Sequence, residues 1–198
     1  MIKSLLPAIC AGLLLSFGGA MAQQAGAPTD PGRPDVKPVG DWFVRCFPIE
    51  SPSPCDMFQE LDNRETRQRI LSLSIAFVPS LNRHALQVTV PLDIAIQKGV
   101  VLQTDSYTSP MLKYRRCDRN GCYVEMAVDN ALVEGLAKSG AAGKVNIVAD
   151  NGKAFSLNFS LKGFAAAHDD MVAQARAKAK AVEKQPAADA PAAPGATP

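Results

Sequence analysis

Residues 71 to 77 read Leu-Ser-Leu-Ser-Ile-Ala-Phe, a regular alternation of large apolar side chains with small or polar ones. Successive side chains of a β-strand point to opposite faces, so this stretch predicts a strand with one buried face and one wetter face. Such strands are typical of antiparallel sheets, which pack one face on the core. The stretch therefore indicates a mainly β protein.

The same two-residue period recurs along the chain. Apolar and polar residues alternate over Leu86–Val90, Val145–Val148 and Phe155–Lys162. With shorter apolar stretches near Trp42, Met57 and Tyr123, the pattern predicts eight or nine strands. Turn signals such as Asp150-Asn151-Gly152 separate them. Many short antiparallel strands with regular turns predict a β-sandwich, with a barrel as the alternative.

One or two short helices are expected within this β protein. Asp129 is suited to be an N-cap, Leu132 and Leu136 share one helical face, and Gly140 is placed as a C-cap glycine. A second helix is predicted from Ala165 to Lys184, and its alanine- and lysine-rich end is expected to be solvated.

Four cysteines form two closely spaced pairs, Cys46 with Cys55 and Cys117 with Cys122. Four cysteines allow three pairings. We favour the two local disulfides because a proline-rich loop lies between the first pair and an Asn-Gly turn between the second. Zinc is the competing interpretation, but these spacings do not suit a structural zinc site, and no bound metal or cofactor is expected.

The N-terminus predicts export. Lys3 precedes an apolar stretch from Leu5 to Phe17, and Ala20-Met21-Ala22 resembles a signal peptidase site. Residues 1–22 are therefore interpreted as a signal peptide that also removes Cys10. A membrane anchor needs about twenty apolar residues, and this stretch is shorter, so no transmembrane span is expected after cleavage.

Composition divides the remainder into three parts. Residues 23–38 are rich in Gly, Pro and Ala and predict a disordered lead-in, residues 39–172 form the β-sandwich domain, and residues 173–198 form a flexible Ala/Lys/Pro-rich tail. The formal net charge of +2 falls to +1 without Lys3, which argues against nucleic acid as a partner.

Several short motifs occur in the order of a known family. They are Gly40-Asp41-Trp42 before Cys46, Cys55, Gly99-Val100-Val101-Leu102, Cys117 with Gly121-Cys122, Asp129-Asn130-Ala131-Leu132, and Ser160-Leu161-Lys162-Gly163-Phe164. Over about residues 39–170 the chain resembles the invasion-associated locus B family of exported alphaproteobacterial proteins. The resemblance implies a periplasmic or surface-associated β-sandwich, and the family is named for a member linked to entry into host red cells.

Catalytic motifs are absent from the sequence. The chain has two histidines, His84 and His168. We interpret His84 as a polar strand-edge residue and His168-Asp169-Asp170 as a solvated helix start, because adjacent helical residues point to different faces. A noncatalytic binding or envelope-interaction protein is the preferred function. The alternative is a periplasmic enzyme, such as a hydrolase of envelope polymers.

Two basic segments are candidates for binding. The first is the basic hairpin, defined here by the Cys117–Cys122 turn with Lys113, Arg115, Arg116 and Arg119. Guanidinium groups recognise carboxylates and phosphates, so an anionic envelope component or an acidic protein face is the predicted partner. Asp118 and Glu125 are expected to neutralise part of this charge. The second segment, Arg176–Lys184, lacks large apolar anchors for a membrane surface and is interpreted as a tether.

Overall fold

The computed structural model describes residues 32–184. The predicted signal peptide, residues 1–22, lies outside the described residues, as do residues 23–31 of the lead-in and residues 185–198 of the tail. Within residues 32–184, no helix combines the length and apolar character needed to cross a bilayer.

Ten strands and two α-helices make up the described chain. In order they are β1 (Asp35–Val39), β2 (Trp42–Cys46), β3 (Cys55–Asp62), β4 (Arg69–Val78), β5 (Arg83–Val90), β6 (Val101–Gln103), β7 (Arg116–Asp118), β8 (Gly121–Val128), α1 (Asn130–Ala137), β9 (Ala142–Val148), β10 (Ala154–Ser160) and α2 (Phe164–Lys184). Short 3₁₀ turns occupy Pro79–Leu81 and Ile96–Lys98.

The strands form two antiparallel sheets. The large sheet has seven strands in the order β1-β2-β3-β4-β5-β8-β7, and the small sheet has three in the order β10-β9-β6. All pairings between these strands are antiparallel. The predicted antiparallel β-sandwich with helices is confirmed.

The central strand β4 behaves as its sequence period predicts. Leu71, Leu73, Ile75 and Phe77 are at most 2% exposed and lie in one core with residues of the small sheet. Strand β10 follows the pattern only in part, because Phe155 is 37% exposed. The apolar face of β10 is covered only toward its end, where Leu157 is partly buried and Phe159 is 2% exposed.

Helix α2 closes one side of the large sheet. Its buried residues Phe164, Ala167, Met171 and Ala175 recur at helical spacing and pack toward β2, β3 and β4. The predicted helix is present, but with 21 residues it is longer than the short helix expected. Its buried face extends to Ala175, about one turn past residue 172, where the domain was predicted to end. Its last residues, 181–184, are exposed.

Strand β1 starts inside the segment predicted to be a disordered lead-in. All five residues of Asp35–Val39 pair with β2. Four of the five are exposed, so the segment has no apolar period of its own and the order comes from backbone pairing. The ordered part of the chain therefore begins before residue 39.

Helix α1 begins as predicted and ends differently. The Asp129 carboxylate accepts a hydrogen bond from the Leu132 amide at 3.2 Å, which is the expected N-cap. The helix ends with Lys138 as its C-cap. Gly140 is therefore not the cap, and its amide donates to the Asp105 carboxylate at 3.1 Å instead.

The two sheets and α2 meet at one closely packed junction. The indole Nε1 of Trp42 donates to the carbonyl of Ser160 at 2.9 Å, and its ring meets Phe164 edge to face at a centroid distance of 5.1 Å. Gln59 accepts from the Ser160 amide at 2.8 Å. Gly40, at φ +63°, lies against the backbone of Gly163, so neither position has space for a side chain.

We expect Gly40→Ala to destabilise the protein by about 2–4 kcal/mol, because an added Cβ would lie 2.6 Å from the Lys162 oxygen and the left-handed backbone disfavours a side chain. Gly152→Ala is the matched control, since Gly152 has φ +84° with nothing within 4 Å. It should cost only about 1 kcal/mol. Urea unfolding measures both, and equal costs would contradict the junction's role.

Candidate functional site

Both predicted disulfides are present. Cys46 bonds Cys55, and Cys117 bonds Cys122. Each pair occupies registered positions on adjacent antiparallel strands, β2 with β3 and β7 with β8. The zinc interpretation is excluded for these four cysteines because their sulfurs are bonded to each other. Within residues 32–184, no group of three or more His, Cys, Asp or Glu side chains is arranged to hold a metal ion.

The tip of the basic hairpin is held by internal hydrogen bonds. The Asp118 carboxylate accepts from the Asn120 amide at 2.7 Å and from the Tyr123 hydroxyl at 3.1 Å. These bonds, with the ion pair from Arg116, lower the pKa of Asp118. Gly121 has φ +140° and packs against the carbonyl of Val90, which excludes a side chain there. Turn, disulfide and carboxylate together fix the shape of the tip.

Arg116 is the internally paired cation of the basic hairpin. Its guanidinium lies 2.7 Å from Asp118 and 2.9 Å from Glu125, and it stacks over the Tyr123 ring at 3.9 Å. Hydrogen bonding by Arg116, and then by Gln87, lowers the pKa of Glu125. Of the four predicted binding residues, Arg116 is therefore the one whose charge is already used within the fold.

The other three cations are available to solvent. Lys113 and Arg119 are exposed and make no ion pair with any described residue. The Arg115 side chain is 71% exposed and its Nε lies 3.9 Å from Glu125, a long contact. The structure thus brings Arg115, Arg116 and Arg119 together on one hairpin, with Lys113 just before it. The expected neutralisation by Asp118 and Glu125 falls mainly on Arg116.

The outer face of the large sheet connects the basic hairpin to the other disulfide loop. A groove of about 460 Å³ has Arg115 and Glu125 on one side and Phe47 and Ser53 on the other. Its floor consists of small or polar side chains of β4, β5 and β8: Ser74, Ala76, Ala85, Gln87 and Ala127. The site is therefore an open surface between two disulfide-closed loops.

Arg45 and Asp56 form an ion pair beside this groove that sequence reasoning missed. The guanidinium donates to both carboxylate oxygens at 2.7 and 3.0 Å, and it lies over the rings of Phe47 and Phe58 at 4.9 and 4.4 Å. Asp56 is buried and also accepts from Ser74 at 2.9 Å. The sequence did contain a signal for this ion pair, because Arg45 and Asp56 each adjoin a cysteine of the first disulfide.

The two histidines contact each other across 84 residues. The Nε2 atoms of His84 and His168 are 2.9 Å apart, and His84 also lies against the Phe77 ring. His84 is buried, so its interpretation as a strand-edge residue is wrong. His168 Nδ1 also lies 3.3 Å from the Asp169 carboxylate.

A second, larger groove of about 680 Å³ lies between the Cys46–Cys55 loop and the end of α2. Its charged lining residues are Glu50 and Lys178, and the rest is mostly proline, alanine and other uncharged residues. None of the described residues with a shifted pKa lines it. This groove therefore lacks the convergent titratable groups that an acid–base active site needs.

Two antiparallel sheets, two cross-strand disulfides and a closing helix define a disulfide-linked β-sandwich. The chain belongs to the invasion associated locus B (IalB) protein family, whose model matches residues 42–172. It is 29% identical over 161 residues to invasion protein B homologs of Brucella abortus strain 2308 and of biovar 1 strain 9-941, covering 80% of this chain and 92% of each relative.

A solved relative has the same fold. The crystal structure of invasion associated protein B from Bartonella henselae matches with a TM-score of 0.61 at 22% identity, covering 71% of this chain and 97% of that one. The resemblance to the family drawn from the ordered motifs is confirmed.

We expect Arg116→Gln to lower the melting temperature, because it removes the close ion pairs with Asp118 and Glu125 and the stacking on Tyr123, and leaves Glu125 only the long contact with Arg115. Arg119→Gln is the matched control, with the same charge change on the same hairpin and no ion pair to lose. Differential scanning calorimetry compares the two, and equal melting temperatures would contradict the structural assignment of Arg116.

We also expect stability to fall between pH 7.5 and 5.5 because of His84. Burial, then the neighbouring His168, lower the pKa of His84 from 6.5, with the Asn130 side chain acting in the opposite direction. The unfolded chain therefore takes up the proton more readily than the folded chain. The contribution of neutral, buried His84 to the free energy of unfolding is fully present above pH 6.5 and declines as the pH falls below it. Urea unfolding at both pH values measures this decline.

His84→Gln should flatten this pH dependence, and His168→Gln should reduce it by a smaller amount because burial of His84 remains. An unchanged pH dependence in His84→Gln would show that other groups cause the decline.

Proposed function

We propose that this protein is a noncatalytic envelope-interaction protein that binds an anionic partner through Lys113, Arg115 and Arg119 of the basic hairpin. The observation that carries this proposal is the division of charge within the hairpin. Arg116 satisfies both nearby carboxylates, at 2.7 Å and 2.9 Å. The remaining cations therefore keep most of their charge for an external group.

The rigid tip supports this proposal. A binding surface that is ordered before contact loses less conformational entropy when the partner arrives. The Cys117–Cys122 disulfide and the hydrogen bonds to Asp118 hold the backbone that carries Arg115 and Arg119. Exposed guanidinium groups on such a backbone suit phosphate or carboxylate groups arrayed on a surface. Lipopolysaccharide carries such groups and is the partner we would test first.

An oxidising location is part of the proposal. Two disulfides, one with the exposed Cys117, favour a compartment in which thiols are oxidised. The export pattern in residues 1–22 supports the periplasm, with association to the outer membrane or surface through the basic hairpin. The names of the Brucella and Bartonella relatives are the support for a contribution to host-cell entry.

The hydrolase alternative has less support. Glu125 is the titratable group with a shifted pKa beside the outer-face groove, and its carboxylate is held by Arg116 and Gln87. A carboxylate fixed in its ionised form by a guanidinium is a poor proton donor at neutral pH. The histidine pair lies between β5 and α2, and neither histidine lines either of these two grooves. Open grooves without an acid–base pair favour the interaction function.

The test is binding to lipopolysaccharide by a variant in which Lys113, Arg115 and Arg119 are all changed to Gln. Affinity should fall at least about tenfold at low salt, because three exposed cations each contribute on the order of 0.5–1 kcal/mol. Binding by the unaltered protein should weaken as salt rises, since exposed charges are screened. Cosedimentation with lipopolysaccharide aggregates measures both effects.

The matched control changes Lys178, Lys180 and Lys184 of α2 to Gln. It removes the same net charge from a different surface, so its affinity should stay close to that of the unaltered protein. Equal losses in the two variants would indicate nonspecific attraction, and equal binding by the hairpin variant and the unaltered protein would discard the proposed site. Both variants should melt at the unaltered temperature, which separates lost binding from lost folding.

A further inference from the structure

The four edges of the two sheets are protected unequally. Strand β1 carries Asp35, Lys37 and Pro38, while β7 has three residues including Arg116 and Asp118. Charges, proline and short length all discourage pairing with another strand. The free side of β6 is covered by bridges from Thr108 and Leu112 and their neighbours.

Strand β10 has none of these protections. Its sequence, Ala-Phe-Ser-Leu-Asn-Phe-Ser over residues 154–160, contains no charge and no proline. Among residues 32–184 its one strand partner is β9, and residues 154–156 and Asn158 are exposed. An uncharged, regular strand with one open side is a surface that pairs readily with a further strand.

The hydrogen-bond pattern shows which backbone groups of β10 are open. The amide of Leu161 donates to Ala141 beside β9, whereas the amide and carbonyl of Ser160 bond Gln59 and Trp42 on the opposite side. Inward and outward groups alternate in an antiparallel strand. The amides and carbonyls of Ala154, Ser156 and Asn158 therefore point outward, and no described residue pairs with them.

We propose that β10 pairs with β10 of a second copy of this chain, antiparallel about a twofold axis at Ser156, and so forms a dimer. Outward groups must meet outward groups, so Ser156 faces the partner's Ser156 and Ala154 faces the partner's Asn158. Each such pair exchanges two backbone hydrogen bonds. The three pairs use all the open groups, and pairing stops before Ser160, which Gln59 and Trp42 already occupy.

The side chains suit a second copy of the same strand. In this register Phe155 stands opposite the partner's Leu157, and both are apolar residues that β10 leaves partly exposed. Apolar cross-strand pairs stabilise sheets. Because β10 has no charge, no like charges meet across the axis.

The ends of the paired strands are complementary in charge. Lys153 precedes β10 and would lie beside the end of the partner's β10. There a groove of about 450 Å³ is lined by Asp41 and Glu60 together with Asn158 and Ser160. The ammonium group of each copy is thus brought toward Asp41 of the other, which makes no ion pair with a described residue, and toward Glu60, which already pairs with Arg69 at 3.0 Å. This complementarity favours a second copy over an unrelated strand.

The first experiment measures the mass of the purified protein in solution by sedimentation velocity over a wide range of concentrations. The unaltered protein should approach twice the monomer mass as concentration rises. Ser156→Pro should raise the dissociation constant at least about tenfold, because both copies lose an outward donor. The ladder to β9 keeps all its bonds, since the Ser156 amide points away from it.

A charge-exchange experiment identifies the axis. Ser156→Lys and Ser156→Glu should each weaken the dimer, because like charges would face each other across the axis. An equimolar mixture of the two should form a heterodimer. The control Ser156→Thr adds no charge and favours a strand, so it should dimerise like the unaltered protein. Circular dichroism and thermal melting confirm that every variant is folded.

Three results would overturn the inference: a folded protein that stays monomeric at all concentrations, a dimer that Ser156→Lys leaves unchanged, or a mixture that fails to associate. A folded monomer that instead captures an extended peptide along β10 would assign the edge to a different partner and would also refute the dimer. The lipopolysaccharide assay is independent of these outcomes, because the basic hairpin lies on the large sheet.

Discussion

The contact between Trp42 and the segment Ser160–Phe164 is the constraint on which the architecture depends. The indole nitrogen of Trp42 donates to the carbonyl of Ser160 at the end of β10, and the indole ring packs on Phe164, the first residue of α2. The approach is so close that Gly40 and Gly163 meet backbone to backbone. Two motifs more than a hundred residues apart are therefore one structural unit, and the small sheet, large sheet and α2 are fixed by it together.

On the outer face of the large sheet, the buried carboxylate of Asp56 and the half-buried carboxylate of Glu125 are each paired with a guanidinium. Asp56 has Arg45, and Glu125 has Arg116. Both pairs stand next to a disulfide-closed loop, and both arginines lie over aromatic rings. Because these pairs satisfy the carboxylates internally, Lys113, Arg115 and Arg119 are the cations of the basic hairpin that remain exposed to solvent. A count of basic residues alone could not make that distinction.

The sequence predicts those features of the fold that local periodicity determines. The alternation in β4, the Asp129 cap and the two local disulfides are all present. The features it missed depend on distant neighbours: β1 is ordered by pairing with β2, Phe155 is exposed because the core covers only the later part of β10, and His84 is buried against His168. Contacts across 84 residues leave no local signature.

The positions of the disulfides affect how the protein can be made. Each bond joins cysteines that are consecutive among Cys46, Cys55, Cys117 and Cys122, and neither loop encloses the other. A chain that is oxidised progressively from its N-terminal end therefore meets its correct partners in order. The first bond can close before the second pair of cysteines has emerged, so native connectivity needs no later exchange of disulfides. Oxidative production should depend on a source of oxidant more than on an isomerase.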